Sequence, residues 1–159
     1  MGVKKYAPAN LGGAAAKPGT AAQSAPDEPA LRWDRRLSLG VAEIDDQHQA
    51  LIGYCNDLVK AVRRGQGQKA VAKLMAQLRD YTVRHFTAEE GLMERVGYPE
   101  LDAHRAVHNQ LTKQVKLYQR QLYQQHAPEP AEVRSFLKDW LIGHILGEDL
   151  KIAAFLKSR

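Results

Sequence analysis

Residues 85–108 read HFTAEEGLMERVGYPELDAHRAVH. In their middle, Gly97-Tyr98-Pro99 breaks a helix, so the stretch is the end of one helix and the start of the next. His85 and Glu89 stand four residues apart before the break, and His104 and His108 four apart after it. Residues at i and i+4 share a helix face, so each pair projects in one direction. A short connection makes the two helices antiparallel neighbours. At a rise of about 1.5 Å per residue, both pairs then lie within a few turns of the same end of the packed helices.

Working outward, the same pattern repeats. No proline occurs between Pro29 and Pro99, Gly65-Gln66-Gly67 interrupts that interval, and Ala127-Pro128-Glu129-Pro130 makes the last break. Four helices follow, near 41–64, 69–95, 100–125 and 131–147 with a continuation toward 157. The first carries Val41, Ile44, His48, Leu51, Cys55, Leu58 and Val62 at steps of three and four. The second carries Leu74, Leu78, Tyr81, His85, Glu89 and Leu92, and the third Leu101, His104, His108, Leu111, Val115, Tyr118 and Leu122. The fourth carries Val133, Leu137, Trp140 and His144, with Asp149 five residues further on. Such stripes are the inward seams of near-antiparallel helices. The expected fold is all-α, an antiparallel up-down-up-down four-helix bundle, with 31–159 as its domain and 31–40 as an arm leading in.

Residues 1–30 are a different kind of sequence. Ala, Gly and Pro supply 17 of the 30, and Tyr6 is the lone aromatic. A segment this poor in apolar bulk does not offset its ordering entropy, so 1–30 is expected to be a disordered tail. The remaining composition, 44% apolar and 26% charged over 159 residues, is that of one globular domain. No apolar run is long enough to span a bilayer. No apolar stretch follows the basic N-terminal residues, and Cys55 stands alone, so a cytoplasmic location is expected. The net charge of +5 comes from basic residues scattered along the chain, with no Lys/Arg stripe interleaved with aromatics. Nucleic acid is therefore not an expected partner.

The seam positions of His48, His85, Glu89, His104, His108, His144 and Asp149 pose an energetic problem. A buried neutral polar group without a partner costs roughly 2–7 kcal/mol, and a charge costs more. Seven in one small core need a common partner, and neutral imidazole with carboxylate is the ligand chemistry of iron, zinc and manganese. Five nitrogens and two carboxylates exceed what one tetrahedral zinc accepts. They suit two six-coordinate metals that share both carboxylates as bridges, one with three histidines and the other with two and a vacancy. One spacing resists an ideal helix: His144 and Asp149 at i,i+5 lie about 140° apart, and Glu148 would project better. A π-like widening or loosened turn near Gly147 would bring Asp149 round, so spacing alone leaves both carboxylates open. Glu90, beside Glu89, points off the seam and is expected in solvent.

The segments Ile44-Asp45-Asp46-Gln47-His48, His85-Phe86-Thr87-Ala88-Glu89-Glu90, His104-Arg105-Ala106-Val107-His108 and Trp140-Leu141-Ile142-Gly143-His144 with Asp149 resemble the hemerythrin family, over residues of about 31–157. Trp33 before the first helix fits the same pattern. The resemblance implies two non-haem iron ions. His104, His108 and His144 would hold the saturated iron, His48 and His85 the open one, and Glu89, Asp149 and an oxo or hydroxo group would bridge them. It implies reversible dioxygen binding, in which each ferrous ion gives one electron and the bridging hydroxide its proton. In some animal members a tyrosine follows the aspartate by three residues. Here that position is Ile152, which offers no hydroxyl.

Reversibility needs a dry pocket, because water and protons strand the oxidised pair. Leu51, Phe86, Trp140, Leu141 and Ile145 lie within a turn of the open-site ligands or of His144, and Trp33 could close the pocket from the arm. None is titratable, so the pocket has no evident general acid. The expected function is oxygen storage, transport or delivery, not enzymatic turnover, with dioxygen as ligand and an oxygen-consuming enzyme as the recipient such a carrier would serve. An oxygen or redox sensor, or a di-iron enzyme that removes nitric oxide or peroxide, is the alternative.

Overall fold

The structure is a computed structural model, and it describes residues 29–124 and 129–159. The expected tail, apart from Pro29 and Ala30, lies outside the described residues, as does the Ala127-Pro128 break. Three long helices form first: α1 (Ala42–Arg63), α2 (Gln68–Val96) and α3 (Leu101–Gln124). A fourth rod occupies 130–157. It starts as α4 (Pro130–Leu137), passes through two π-helical segments, Lys138–Ile142 and Ile145–Asp149, and ends as α5 (Leu150–Lys157). The helices run up, down, up and down, as the seams predict.

Local chemistry sets the ends. Pro130 opens α4 at its first turn, where a missing N–H costs nothing. Gly97 closes α2 at φ 64°, and Tyr98 N–H reaches back to Met93 carbonyl at 2.9 Å. That left-handed closure is the reason for glycine here. Before α1, a single 3-10 turn, Arg35–Leu37, lies in the arm. Asp45 fixes it by accepting from Ser38 Oγ at 2.6 Å and Leu39 N–H at 2.7 Å. Higher up, Asn56 clamps the backbone of Leu31 on both sides, at 2.9 and 2.8 Å.

α1 packs on α2 and α4, and α2 on α3. Between α3 and the fourth rod the bridging is done by long side chains: Tyr118 stacks on Phe136 with ring centres 3.7 Å apart, and Trp140 Nε1 donates to Leu111 carbonyl at 3.1 Å. The apolar core is in two parts. The larger, around Leu51, Cys55, Leu58, Met75, Leu78, Leu137 and Ile145, fills the bundle toward the α1–α2 turn. The smaller, around Leu39, Ile44, Met93, Tyr98 and Ile152, plugs the other end. The seven polar seam residues lie on the helices between these cores, and every one is buried. No helix among the described residues is long and apolar enough to cross a membrane.

Candidate metal centre

Each helix contributes at the level its sequence dictates: His48 from α1, His85 and Glu89 from α2, His104 and His108 from α3, and His144 and Asp149 from the fourth rod. Their ligating atoms form two overlapping groups, in each of which the atoms lie within 4.8 Å of one another. One group is Glu89, His104, His108, His144 and Asp149; the other is His48, His85, Glu89 and Asp149. Both carboxylates belong to both groups. The structure thus brings together all seven residues singled out in the sequence, with three imidazoles on one side and two on the other.

The fourth rod solves the i,i+5 spacing by changing its hydrogen bonding. Gly143 N–H reaches Lys138 carbonyl and Leu150 N–H reaches Ile145 carbonyl, five residues back in each case. Widening of this kind inserts an extra residue per turn and swings Asp149 onto the face of His144. His144 Nε2 then lies 2.9 Å from Asp149 Oδ1. The other oxygen, Oδ2, faces His48 Nε2 at 3.3 Å, so one carboxylate divides its oxygens between the two groups. Glu89 Oε2 sits 3.2 Å from both His104 Nε2 and His108 Nε2.

These contacts are close, but several are not hydrogen bonds. Both ring nitrogens of His48 and of His144, both oxygens of Asp149 and Glu89 Oε1 are buried with no hydrogen-bond partner among the described residues. Unpaired buried groups cost about 1–3 kcal/mol each, which a native core does not leave uncompensated. Lone pairs converging without alignment are what a set of metal ligands looks like when viewed as side chains alone. The donor set, imidazole nitrogen and carboxylate oxygen, matches iron chemistry, so the residues fit the implied pair of ions.

Two imidazoles are oriented from behind. His85 Nδ1 donates to Gln47 Oε1 at 2.9 Å, and Gln47 is itself turned by a 3.4 Å bond from its amide nitrogen to Glu43. His108 Nδ1 donates to Glu90 Oε1 at 2.8 Å, and Arg105 Nε holds the other oxygen of Glu90 at 3.3 Å. Each bond places the proton on Nδ1 and leaves Nε2 with its lone pair toward the centre. Glu90 is therefore not the solvated residue that its off-seam register suggests. It lies on the flank of α2 that faces α3, a flank the core stripe does not reveal. Its acidic type beside Glu89, with Arg105 next to His104, was the available signal.

The electrostatics favour ionised carboxylates and shift His85 and His104 in opposite directions. Burial and the nearby Asp149 would raise Glu89, but the imidazoles of His104 and His108 that face it hold it at about 2. Burial would likewise raise Asp149, and the His144 imidazole holds it well below its ordinary value. Burial lowers His85 to about 4, which keeps it neutral. For His104, burial opposes the charge, but Asp149 and Glu89 outweigh it and raise the group to about 9. In the metal-free chain this imidazole holds the proton that a metal would replace.

The expected pocket residues divide by position. Leu51 and Ile145 are fully buried in the larger core, and Trp140 and Leu141 pack with them. Trp33, held by the arm, lies 6.4 Å from the His48 ring, on the two-histidine side. Phe86 lies between the two groups, 5.7 Å from the His85 ring, stacked on His108 at 3.7 Å and edge-on to His144 at 5.9 Å.

Comparison with known proteins agrees with this geometry. The Hemerythrin HHE cation binding domain matches residues 39–156. The chain is 38% identical to a bacteriohemerythrin of Stenotrophomonas maltophilia over 80% of this chain and 82% of that one. It is 34% identical to a bacteriohemerythrin of Pseudomonas aeruginosa, over 75% and 76% respectively. A crystal structure of wild-type hemerythrin superposes with a TM-score of 0.68 at 29% identity, covering 76% of this chain and 93% of that one. An all-α bundle, a buried cluster of five imidazoles and two shared carboxylates, and these likenesses lead to one conclusion: the chain belongs to the hemerythrin family.

Proposed function

We propose that this protein binds dioxygen reversibly at a non-haem di-iron centre, as an oxygen store or carrier in the cytoplasm and not as an enzyme. The observation that carries the reading is the asymmetry of the two ligand groups around their shared carboxylates. His104, His108 and His144 would complete one iron, while His48 and His85 leave the other a donor short. Glu89 and Asp149 would bridge. When bound, the ferrous pair supplies the two electrons and the coordination position that dioxygen requires.

The chain's own residues do the rest. Gln47 and Glu90 hold His85 and His108 with Nε2 inward. Leu51 and Ile145 exclude water, and Trp33 covers His48 from the arm. The indole N–H of Trp140 is committed to Leu111, so it is not a proton donor to the pocket. Residues 31–159 form the functional domain in this reading, and 1–30 is an appended tail. An oxygen-consuming enzyme is the partner that such a carrier would supply.

The test is direct. Purified protein should carry close to two irons per chain and, once reduced without air, gain a visible absorption band on exposure to oxygen that disappears when oxygen is withdrawn. One zinc per chain, or a band lost irreversibly with a product released on every cycle, would replace the carrier with another reading. The second outcome would favour an enzyme that removes oxygen species.

A further inference from the structure

Antiparallel pairing assembles a basic surface that the linear sequence disperses. The first half of α2 and the last half of α3 lie side by side, at the end of the bundle away from the metal centre. Together they carry Lys69, Lys73, Arg79, Lys113, Lys116 and Arg120, against Asp80 alone. α3 has no acidic residue after Asp102. At a rise of about 1.5 Å per residue, Met75 on α2 stands about 15 Å from the level of His85.

Helix dipoles account for part of this surface only. Cations near the C-terminus of α3 complement its dipole, but Lys69 and Lys73 stand on the first turns of α2, where a cation is disfavoured and no acid offsets them. Between the two helices runs a cleft of ≈ 440 Å³, with Val71, Met75 and Leu122 on its floor and Arg79, Lys116 and Arg120 on its rim. Arg79 is engaged with Asp80 at 3.0 Å and with Gln119 across the cleft at 3.3 Å. Lys116 and Arg120 meet no carboxylate among the described residues. Tyr123, which lines the cleft, is 65% exposed, and Leu117, next to Lys116 on α3, is 58% exposed.

A ligand for this surface must be anionic at the rim and apolar at the floor, and must tolerate a protruding leucine and tyrosine. Nucleic acid supplies phosphate but nothing for Val71, Met75, Leu122 and Leu117. An anionic phospholipid surface supplies both, since polybasic attraction and shallow apolar insertion reinforce one another. We infer that the basic end of the α2–α3 pair docks on anionic phospholipid membranes. A headgroup phosphate sits between Lys116 and Arg120, an acyl segment lies over Val71, Met75 and Leu122, and Tyr123 rests at the interface. The metal centre then faces away from the bilayer.

The full-length, iron-loaded protein should co-sediment with phosphatidylglycerol vesicles and not with phosphatidylcholine vesicles. Binding should weaken steeply between about 20 mM and about 500 mM salt. The double variant Lys116→Glu/Arg120→Glu should bind tenfold or more weakly, with unchanged iron content and helicity. In a Tyr123→Trp variant, the difference emission should shift to the blue on anionic vesicles. Failure to bind at low salt, or equal binding by the double variant, overturns the inference. So does a Tyr123→Trp emission that stays unshifted, because adsorption by charge alone would leave the cleft unused. Release from vesicles by polyglutamate with the same Tyr123→Trp shift would overturn it in favour of an acidic protein partner.

Discussion

His108 and Glu90 are joined from Nδ1 to Oε1 at 2.8 Å, while the equivalent position behind His85 is taken by the neutral amide of Gln47. One half of the centre thus has an anionic support and the other a neutral one. A carboxylate behind an imidazole raises its basicity and fixes its tautomer.

Glu90→Leu should therefore weaken metal retention about 10–100-fold. Glu90→Gln, which keeps an acceptor, should recover much of it. Chelator competition followed by iron analysis reads this directly. A Glu90→Leu protein that holds iron as well as the parent would show that Arg105 and helix packing alone orient His108.

The pH dependence of the metal-free chain follows from His104. Its folded value of about 9 exceeds the unfolded value of 6.5, so its contribution to stability is complete below 6.5 and is lost as pH rises through 9. Glu89 acts in the opposite sense, contributing above 4.5 and losing that contribution as pH falls through 2. The metal-free melting temperature should therefore decline between pH 6.5 and 9, and the iron-loaded protein should lack this decline. Loading at pH 7 should also release a proton, measurable by calorimetry in buffers of different ionisation enthalpy.

Removing the metal should lower the melting temperature on the order of 10 °C, since several buried groups at about 1–3 kcal/mol each then lack partners. Hydrogen exchange should quicken around His48, His85, His104 and His144, while amides near Leu58, Met75 and Leu78 stay protected. Equal stability of the two forms would mean that the seven side chains satisfy one another.

Ile145→Thr places a hydroxyl in a fully buried wall position. It should cost about 1–3 kcal/mol of stability. Oxidation of the oxygen-loaded protein should quicken several-fold, followed as loss of the visible band, with iron content unchanged. Leu51→Thr should act in the same direction. An unchanged oxidation rate in both would locate water exclusion elsewhere.

Asn56→Ala removes both hydrogen bonds that anchor Leu31 and frees the arm that carries Trp33. The expected cost is about 1–3 kcal/mol. Trp33 emission should shift to the red while the emission of buried Trp140 holds, and oxidation should speed up as His48 loses its cover.

Much of this molecule is legible in one dimension because a helix has a fixed period. Apolar steps of three and four placed four helices within a residue or two of their observed ends. The same steps put five histidines and Glu89 on inward seams, and the breakers set those residues at one level. The i,i+5 spacing of His144 and Asp149 was readable as an anomaly, and the two π-helical segments are its resolution.

Lateral relationships between helices were not legible. Periodicity tells which face of a helix is buried, but not which neighbour its flank meets. Glu90 is off the core seam of α2, and only the packing of α3 brings His108 and Arg105 alongside it. Phe86 lies 5.7 Å from the His85 ring as spacing along α2 implies, but its stacking on His108 depends on how α3 packs. The six cations of the α2–α3 surface are spread from Lys69 to Arg120 and become one charged face only when the helices pair. Sequence by itself determined the fold, the levels along each helix and the five histidines and Glu89 on the inward seams, because each depends on the period of a single helix. Tertiary structure alone decided which side chains support the imidazoles and where charge accumulates, because those depend on the packing angle and order of helices distant in sequence.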